Sequence, residues 1–338
     1  MIEAVKEEQM QSSPPSSRKK SLPERLEHGF LGVLIGLSIL VICLYRIGFA
    51  NILSSLSAIR PIFLVMAAAT LAIWVLLGSM NMMVLLWPLV RIPFVQTLGL
   101  YSKANMIALL VPGQVGDAVI INFFRRYSVP ISQGTTIFGI DKLITMLWYG
   151  VVTMFGLYLL GDEISLEALT PRISRFGIPI AVVLFLVILC LALYMILRQS
   201  RIGGRISNWI HLSYNYIRIG KKMIIVDCCI TFFRVFALGC AYWFAIRAYG
   251  PPSIFLYTLC LPIMAGLVAY IPISFNGLGT VEISLVFLFD KIGLEAAQVI
   301  SAALTLRILT VFLIGLSVLT TSRPYTVSEK EVPIADVE

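Results

Sequence analysis

The sequence predicts an all-α, polytopic integral membrane protein, and three observations lead to that prediction. Hydrophobic residues make up 59% of the 338 residues and charged residues only 13%, which leaves little material for a soluble domain. Apolar runs long enough to cross a bilayer recur along the chain. Two of these runs are interrupted by similar Pro/Gly sequences, as in transport proteins that are built from two oppositely oriented halves.

About six apolar segments are predicted to span the membrane completely, because a spanning helix needs about 20 apolar residues. Polar segments at both ends, 1–28 and 322–338, are predicted to be cytoplasmic tails, and both are expected to be disordered. Residues 29–321 form the predicted transmembrane domain. In chain order the predicted spans are 30–50, 61–90 with a possible kink near Pro88, 143–160, 176–197, 223–246 and 296–321.

The two interrupted runs are predicted to be re-entrant hairpins, which enter and leave the bilayer on the same side. Residues 105–117 read Asn-Met-Ile-Ala-Leu-Leu-Val-Pro-Gly-Gln-Val-Gly-Asp, and residues 272–282 read Pro-Ile-Ser-Phe-Asn-Gly-Leu-Gly-Thr-Val-Glu. In each segment a Pro and two Gly precede an acid and break the helix. The freed backbone groups cannot be satisfied by lipid, so the breaks must face protein or a watery cavity. We therefore place the hairpins near 104–124 and 254–289.

Charge sets the predicted topology. The connection 198–222 holds six basic residues and no acid, whereas the connection 161–175 carries three acids. By the positive-inside rule the first connection and both termini are cytoplasmic. This assignment requires that the hairpin near 104–124 does not cross the membrane, and it places the second hairpin on the opposite face.

An inverted repeat follows from these opposite orientations, and the spacing of charges agrees with it. Asp117 precedes Asp141 by 24 residues, and Glu282 precedes Arg307 by 25 residues.

Candidate lipid-binding residues lie at the two breaks and at charges within apolar sequence. Asp117 and Glu282 each follow a break at the start of a helix, where an acid can cap the helix or line a polar cavity. Arg307 is the best phosphate candidate, because its planar guanidinium matches phosphate oxygens. A buried salt bridge is the alternative for Arg307, Asp141 and Lys142. The candidates are Asn105, Pro112, Gly113, Gly116, Asp117, Asp141, Lys142, Pro272, Asn276, Gly277, Gly279, Glu282 and Arg307.

One further pair of charges lies in the fifth predicted span. Asp227 and Arg234 are seven residues apart and share one face of that span. Asp227 is expected to lie near the membrane interface, where its carboxylate reaches water.

No enzymatic, metal or cofactor site is predicted. The two histidines, His28 and His211, lie in polar segments, and the chain has no P-loop and no nucleophile elbow. The six cysteines lie in apolar segments without Cys-x-x-Cys spacing, which favours packing residues over a metal site. We therefore expect no cofactor and no nucleic-acid partner. An intramembrane transferase ranks third among the possible functions.

The motifs, taken in order, resemble those of the lysylphosphatidylglycerol synthase transmembrane-region family. They are Asn105-x6-Pro112-Gly113-x2-Gly116-Asp117, then Asp141-Lys142, then Pro272-x4-Gly277-Leu278-Gly279-x2-Glu282, and finally Arg307. The resemblance covers residues 29–321. It implies a flippase-like protein, since well-understood members move aminoacylated phosphatidylglycerol between leaflets. In those members a fused synthase makes the lipid; we expect none here and no aminoacyl transfer.

The predicted function is translocation or binding of a polar, phosphate-bearing lipid in the cell membrane. The N-termini of the broken helices and Arg307 would bind the phosphate, while Asp117 and Glu282 would contact the rest of the headgroup. The alternative is a non-transporting subunit or scaffold for an envelope lipid or glycolipid enzyme, such as a lipid-modifying enzyme or a glycosyltransferase. A homo-oligomer is also possible. A polar cavity open to one leaflet would favour transport, and close-packed breaks would favour the scaffold.

Overall fold

The computed structural model describes residues 59–108, 119–161, 203–250, 254–270 and 277–321, together with four isolated positions before residue 59. These ranges contain helices and connecting turns and no strand. In chain order the α-helices are α1 (Pro61–Leu86), α2 (Phe94–Ala108), α3 (Ile120–Phe124), α4 (Ile131–Leu160), α5 (Gly203–Tyr249), α6 (Phe255–Leu267), α7 (Thr280–Asp290) and α8 (Ala296–Thr320).

Four helical segments are long and apolar enough to cross a membrane. They are α1, α4, the Gly220–Tyr249 part of α5, and α8. The all-helical, membrane-embedded class is thus confirmed, and these segments overlap four of the predicted spans. Helix α4 begins at Ile131, 12 residues before the predicted start at 143. The predicted spans 30–50 and 176–197 lie outside the described ranges apart from a few positions, so the total number of spans stays a prediction.

The C-terminal end of α1 differs from the prediction. The span was expected to continue to residue 90, with a possible kink at Pro88, but the helix ends at Leu86 and a turn follows. Trp87 still has helical backbone angles, but Pro88 has no backbone N–H to continue the hydrogen-bond ladder, so the helix ends where a kink was expected.

The first predicted hairpin also has different bounds. Helix α2 begins at Phe94, so residue 104 lies inside a helix and Lys103 does not mark its end. The helix ends at Ala108, and α3 follows at Ile120. The break between them, with Pro112, Gly113, Gly116 and Asp117, lies outside the described residues.

The second predicted hairpin consists of two helices on either side of a break. Helix α6 continues into a 3₁₀ turn, Val268–Tyr270, and the short helix α7 begins at Thr280. Pro272 and Asn276 lie outside the described residues, and Gly277 is the first described residue after the break. The opposite orientation of the two hairpins, and the inverted repeat, stay predictions.

Helices α1 and α5 pack against each other along the most extensive helix–helix contact of the described ranges. Small residues make this possible: Ala67 on α1 and Ala241 and Ala245 on α5 are completely buried. In lipid, packing of small residues brings helices together, because apolar burial alone gives no advantage over contact with lipid tails. Farther along the same interface the Asn81 amide donates a 2.8 Å hydrogen bond to the Thr231 hydroxyl.

The buried apolar side chains form two main clusters. The first joins the beginning of α1 to the end of α5 and to α6, α7 and α8, with Leu261, Leu285 and Phe289 fully buried. The second joins the end of α1 to α2, α3 and the beginning of α4, around Leu85 and Phe124. Between these clusters lies a cavity whose wall combines apolar and polar side chains.

Candidate functional site

A cavity of about 500 Å³ lies where seven of the eight helices converge. Its volume falls within the usual range of about 300–1,000 Å³ for small-molecule sites. The apolar part of its wall includes Leu71, Leu238, Val281 and Ile314. The polar part of the wall consists of side chains that each carry a cationic, hydroxyl, amide or indole group: Trp74, Asn105, Lys142, Thr145, Tyr149, Arg234, Tyr242, Tyr270, Arg307 and Thr310.

The cavity lies at mid-height of the candidate membrane spans. Trp74 is halfway along α1, Thr145 is halfway along α4, and Arg234 is halfway between Gly220 and Tyr249. Arg307 lies at the centre of α8. Because each of these segments is long enough to cross a bilayer, residues at their midpoints place the cavity near the bilayer centre. Polar and charged residues at that depth are rare and usually line a cavity or a bundle interior.

Arg307 is held in place by Glu282. The Arg307 Nε donates to Glu282 Oε1, and Glu282 Oε2 accepts a 2.7 Å hydrogen bond from the backbone N–H of Gly279. The acid therefore caps the start of α7 and ties α7 to α8. Glu282 is only 1% exposed, whereas Arg307 is 28% exposed and lines the cavity.

The predicted direct contact between Glu282 and a headgroup stays a prediction, and the structure shows Glu282 bonded within the protein. Glu282 is not among the residues that line the cavity. Both of its carboxylate oxygens already accept hydrogen bonds, so its role is to position Arg307 and α7.

The glycines of the second break are required by the backbone. Gly277 has φ 71° and Gly279 has φ 80°, a left-handed conformation that other residues rarely adopt. A Cβ on Gly277 would also lie 2.9 Å from the Cβ of Ala269. This tight turn directs the N-terminus of α7 and the Leu278 side chain toward the cavity.

Arg234 is the second guanidinium of the cavity. Its Nη2 donates a 2.9 Å hydrogen bond to the Tyr101 hydroxyl. The guanidinium carbon also lies 5.2 Å from the Trp74 ring centroid, a cation–π contact. Gly78 makes room for this arrangement, because a Cβ there would lie 2.4 Å from the Tyr101 hydroxyl oxygen.

The predicted site residues in the N-terminal half of the chain that the structure describes also lie at or beside this cavity. Asn105 and Lys142 line the large cavity, and together with Asp141 and Arg234 they also line an adjoining pocket of about 30 Å³. The Asn105 amide donates a 2.8 Å hydrogen bond to the Tyr101 carbonyl. Asp141 is 3% exposed. Charged residues from both halves of the chain are thus brought to one place.

The aromatic wall of the cavity was not predicted from the sequence. Tyr149 and Tyr270 form an edge-to-face pair with centroids 6.2 Å apart, and Tyr242 lines the same space. Aromatic residues within apolar helices more often face lipid or the core, so their position in the chain carried no signal. Arg234, by contrast, could be recognised from the sequence, because it is a charged residue at the centre of a predicted span.

Asp227 corrects one expectation. Its carboxylate was expected to reach water at the membrane interface, yet its side chain is completely buried. Helix α5 begins at Gly203, so Asp227 lies well inside a continuous helix. Neither of its carboxylate oxygens accepts a hydrogen bond from a residue that the structure describes.

Comparisons with known proteins bear on the whole of this architecture. The family described as the lysylphosphatidylglycerol synthase TM region matches residues 29–317, which include nearly all of the described helices. A comparison with curated proteins gave no match. The family match covers far more than half of the chain and includes both motifs and all of the cavity-lining residues. The chain therefore belongs to the lysylphosphatidylglycerol synthase transmembrane-region family.

Proposed function

We propose that this protein moves a phosphate-bearing, anionic lipid headgroup between the membrane leaflets through the central cavity. Membership of the family supports a role with membrane lipids. The observation that carries the proposal is the position of three cationic side chains, Lys142, Arg234 and Arg307, on a cavity near the bilayer centre. A headgroup in transit needs polar partners at that depth, because lipid tails provide none.

The two guanidinium groups suit phosphate better than other headgroup chemistry. A guanidinium presents paired donors whose spacing matches two phosphate oxygens. Arg307 is fixed through its Nε, which donates to Glu282, and its side chain lines the cavity. Lys142 contributes a third positive charge from α4.

The rest of the wall supports an amphipathic ligand. The tyrosines of the cavity combine aromatic rings with hydroxyl groups, which contact both the glycerol region and the polar end of a headgroup. Apolar side chains such as Leu71 and Val311 form the rest of the wall and suit the apolar part of the lipid. A scaffold without transport would not need a cavity of about 500 Å³ lined by cations.

We further propose that the protein acts in the cell membrane, with both termini and the connection 198–222 in the cytoplasm. The basic residues of that connection support this orientation. Transport in this proposal leaves the lipid chemically unchanged, so no covalent step is assigned to the chain.

The experiment is reconstitution of the full chain into vesicles that contain a trace of fluorescent phosphatidylglycerol. A membrane-impermeant quencher then reports the fraction of label in the outer leaflet over time. We expect faster exchange than in protein-free vesicles, and faster exchange for phosphatidylglycerol than for phosphatidylcholine, whose quaternary ammonium is repelled by the three cations. Mass spectrometry of the recovered lipid checks that it is unchanged.

The outcomes separate the three functions. Exchange equal to that in protein-free vesicles would reject transport and favour a scaffold or subunit. A covalently altered lipid would favour an intramembrane transferase. The Arg91→Gln variant is a matched control, because Arg91 is an exposed cation that stacks over Trp87 and lies outside the cavity.

A further inference from the structure

A group of buried polar side chains lies at the α1–α5 contact, one to two helical turns beyond the cavity wall. It consists of Asn81, Asp227 and Thr231, which we call the Asp227 cluster. All three side chains are 0% exposed. Asn81 donates to Thr231, and Asp227 precedes Thr231 by four residues, so both α5 side chains face α1. The function proposed above makes no use of this cluster.

Three acceptor oxygens of the cluster are left without a hydrogen bond within the described part of the chain. Both carboxylate oxygens of Asp227 and the amide oxygen of Asn81 accept no hydrogen bond from any residue that the structure describes. Buried polar groups in native proteins are almost always paired, and an ionised carboxylate without a partner is especially unfavourable. The missing partner of such a set carries positive charge.

We infer that the Asp227 cluster binds one monovalent cation, either a proton or Na⁺. Either ion is matched by one carboxylate with neutral oxygens beside it, as Asn81 and Thr231 provide. The complete burial of the cluster excludes organic cations, which could not enter without opening the α1–α5 interface.

Charged and titratable groups surround the cluster on each neighbouring helix. Helix α4 approaches α5 here, since the Trp148 indole donates a 3.0 Å hydrogen bond to the Cys228 carbonyl. From α4, Asp141 adds negative charge and favours the cation, while Lys142 lies beside it in the chain. On α5 itself, Arg234 opposes the cation. The nearby titratable side chains are Tyr101 of α2 and Tyr149 of α4, and α1 contributes the neutral Asn81.

The cation site is coupled to the cavity through charge, a step that rests on the proposed function. Without a cation, the carboxylate of Asp227 offsets part of the positive charge of Arg234. A bound cation removes that offset, so the cavity becomes more positive and binds an anionic headgroup more tightly. Linkage is reciprocal, so the headgroup must also strengthen cation binding.

The first experiment needs no lipid substrate. The full chain is purified in detergent, and its thermal unfolding midpoint is measured across a pH series and a Na⁺ series in which choline replaces Na⁺. For the wild type we expect a midpoint that rises with proton or Na⁺ concentration. The midpoint of Asp227→Asn should not rise in this way, whereas that of the exposed control Asp290→Asn should rise as in the wild type. Parallel curves for wild type and Asp227→Asn in both series would overturn the cation site.

The variant is designed to fold. Asparagine has the shape of aspartate, and its amide can donate to the orphaned Asn81 oxygen. Asp227→Ser, which also removes the charge, serves as a second variant with the same expected loss. The series in which the dependence is lost identifies the ion as a proton or as Na⁺.

The second experiment tests the coupling. The affinity for dihexanoylphosphatidylglycerol is measured across the same two series. We expect the Kd of the wild type to fall about fivefold or more as the cation saturates, and the Kd of Asp227→Asn to stay constant. A cation-independent Kd in the wild type would overturn the coupling. If the short-chain lipid does not bind at all, the proposed function fails, while the unfolding measurements still decide the cation site.

Discussion

The two arginines of the cavity are held in contrasting ways. Arg307 has a carboxylate partner, Glu282, which also caps α7. Arg234 has a neutral hydrogen-bond partner, the Tyr101 hydroxyl, and lies against aromatic rings. Aromatic rings and a hydroxyl orient a guanidinium without cancelling its charge, whereas a carboxylate does both.

This difference assigns different tasks to the two sides of the cavity. The Arg307 side is largely neutralised and ties two helices together across the second break. The Arg234 side keeps more positive charge, because the neighbouring acids, Asp141 and Asp227, form no salt bridge with Arg234 among the described residues. We therefore expect Arg234 to contribute more to headgroup binding and Arg307 more to the structure.

The largest effect should come from Arg234→Gln. This change removes the less neutralised charge, and we expect lipid exchange in vesicles to slow by about two orders of magnitude, since desolvated charge contacts contribute about 2–5 kcal/mol. The folded protein should still accumulate, because Arg234 makes no salt bridge in the described part of the chain. Exchange is measured with fluorescent phosphatidylglycerol.

The matched control is Arg91→Gln, which removes an exposed cation outside the cavity. Its exchange rate should equal that of the wild type. If Arg234→Gln exchanges lipid normally while Arg307→Gln does not, the comparison between the two sides is reversed.

Glu282→Gln should have its main effect on stability. Glutamine can still accept the Gly279 N–H, but it loses the charge-assisted hydrogen bond from Arg307, so we expect a loss of about 1.5–3 kcal/mol. Denaturant titration of the purified protein measures it. Lipid exchange should stay intact or become faster, and a complete loss of exchange in folded protein would contradict a mainly structural role of the Glu282–Arg307 pair.

The fold was largely predictable because membrane spans are encoded by length and polarity. Four predicted spans appear as helices, three of them at nearly the expected residues and the fourth, α4, with a start 12 residues earlier, since lipid requires every backbone group to be paired within the helix. Helix ends were less predictable. The end of α1 before Pro88 depends on local backbone sterics, and the early start of α2 at Phe94 depends on tertiary packing.

The site was predictable in its charges and not in their arrangement. Arg307, Asp141 and Lys142 stood out because charge is unfavourable in lipid, and the glycines stood out because they break helices. The partner of Arg307 was not predictable from spacing alone, because it depends on how α7 turns back beside α8. The aromatic support of Arg234 comes from two other helices, α1 and α2, and has no local pattern.

Gly277→Ala tests the backbone on the Arg307 side. The residue has φ 71°, which costs other amino acids about 1–2 kcal/mol, and the new methyl group would contact Ala269. We expect the protein to be destabilised by at least this amount in denaturant titration. The matched control is Gly150→Ala, since a Cβ there meets nothing within 4 Å and the helix gains propensity. Equal stability of the two variants would show that the turn at Gly277 is not needed.

The smallest effect should come from Tyr101→Phe on the Arg234 side. Phenylalanine keeps the ring beneath the guanidinium but removes the hydroxyl that accepts the hydrogen bond from Arg234. A neutral acceptor contributes about 0.5–1.5 kcal/mol, so exchange should slow by roughly threefold to tenfold. The highly exposed Tyr45→Phe is the control and should behave as the wild type. If Tyr101→Phe were as damaging as Arg234→Gln, the hydroxyl itself would contact the lipid, and Arg234 would serve mainly to orient it.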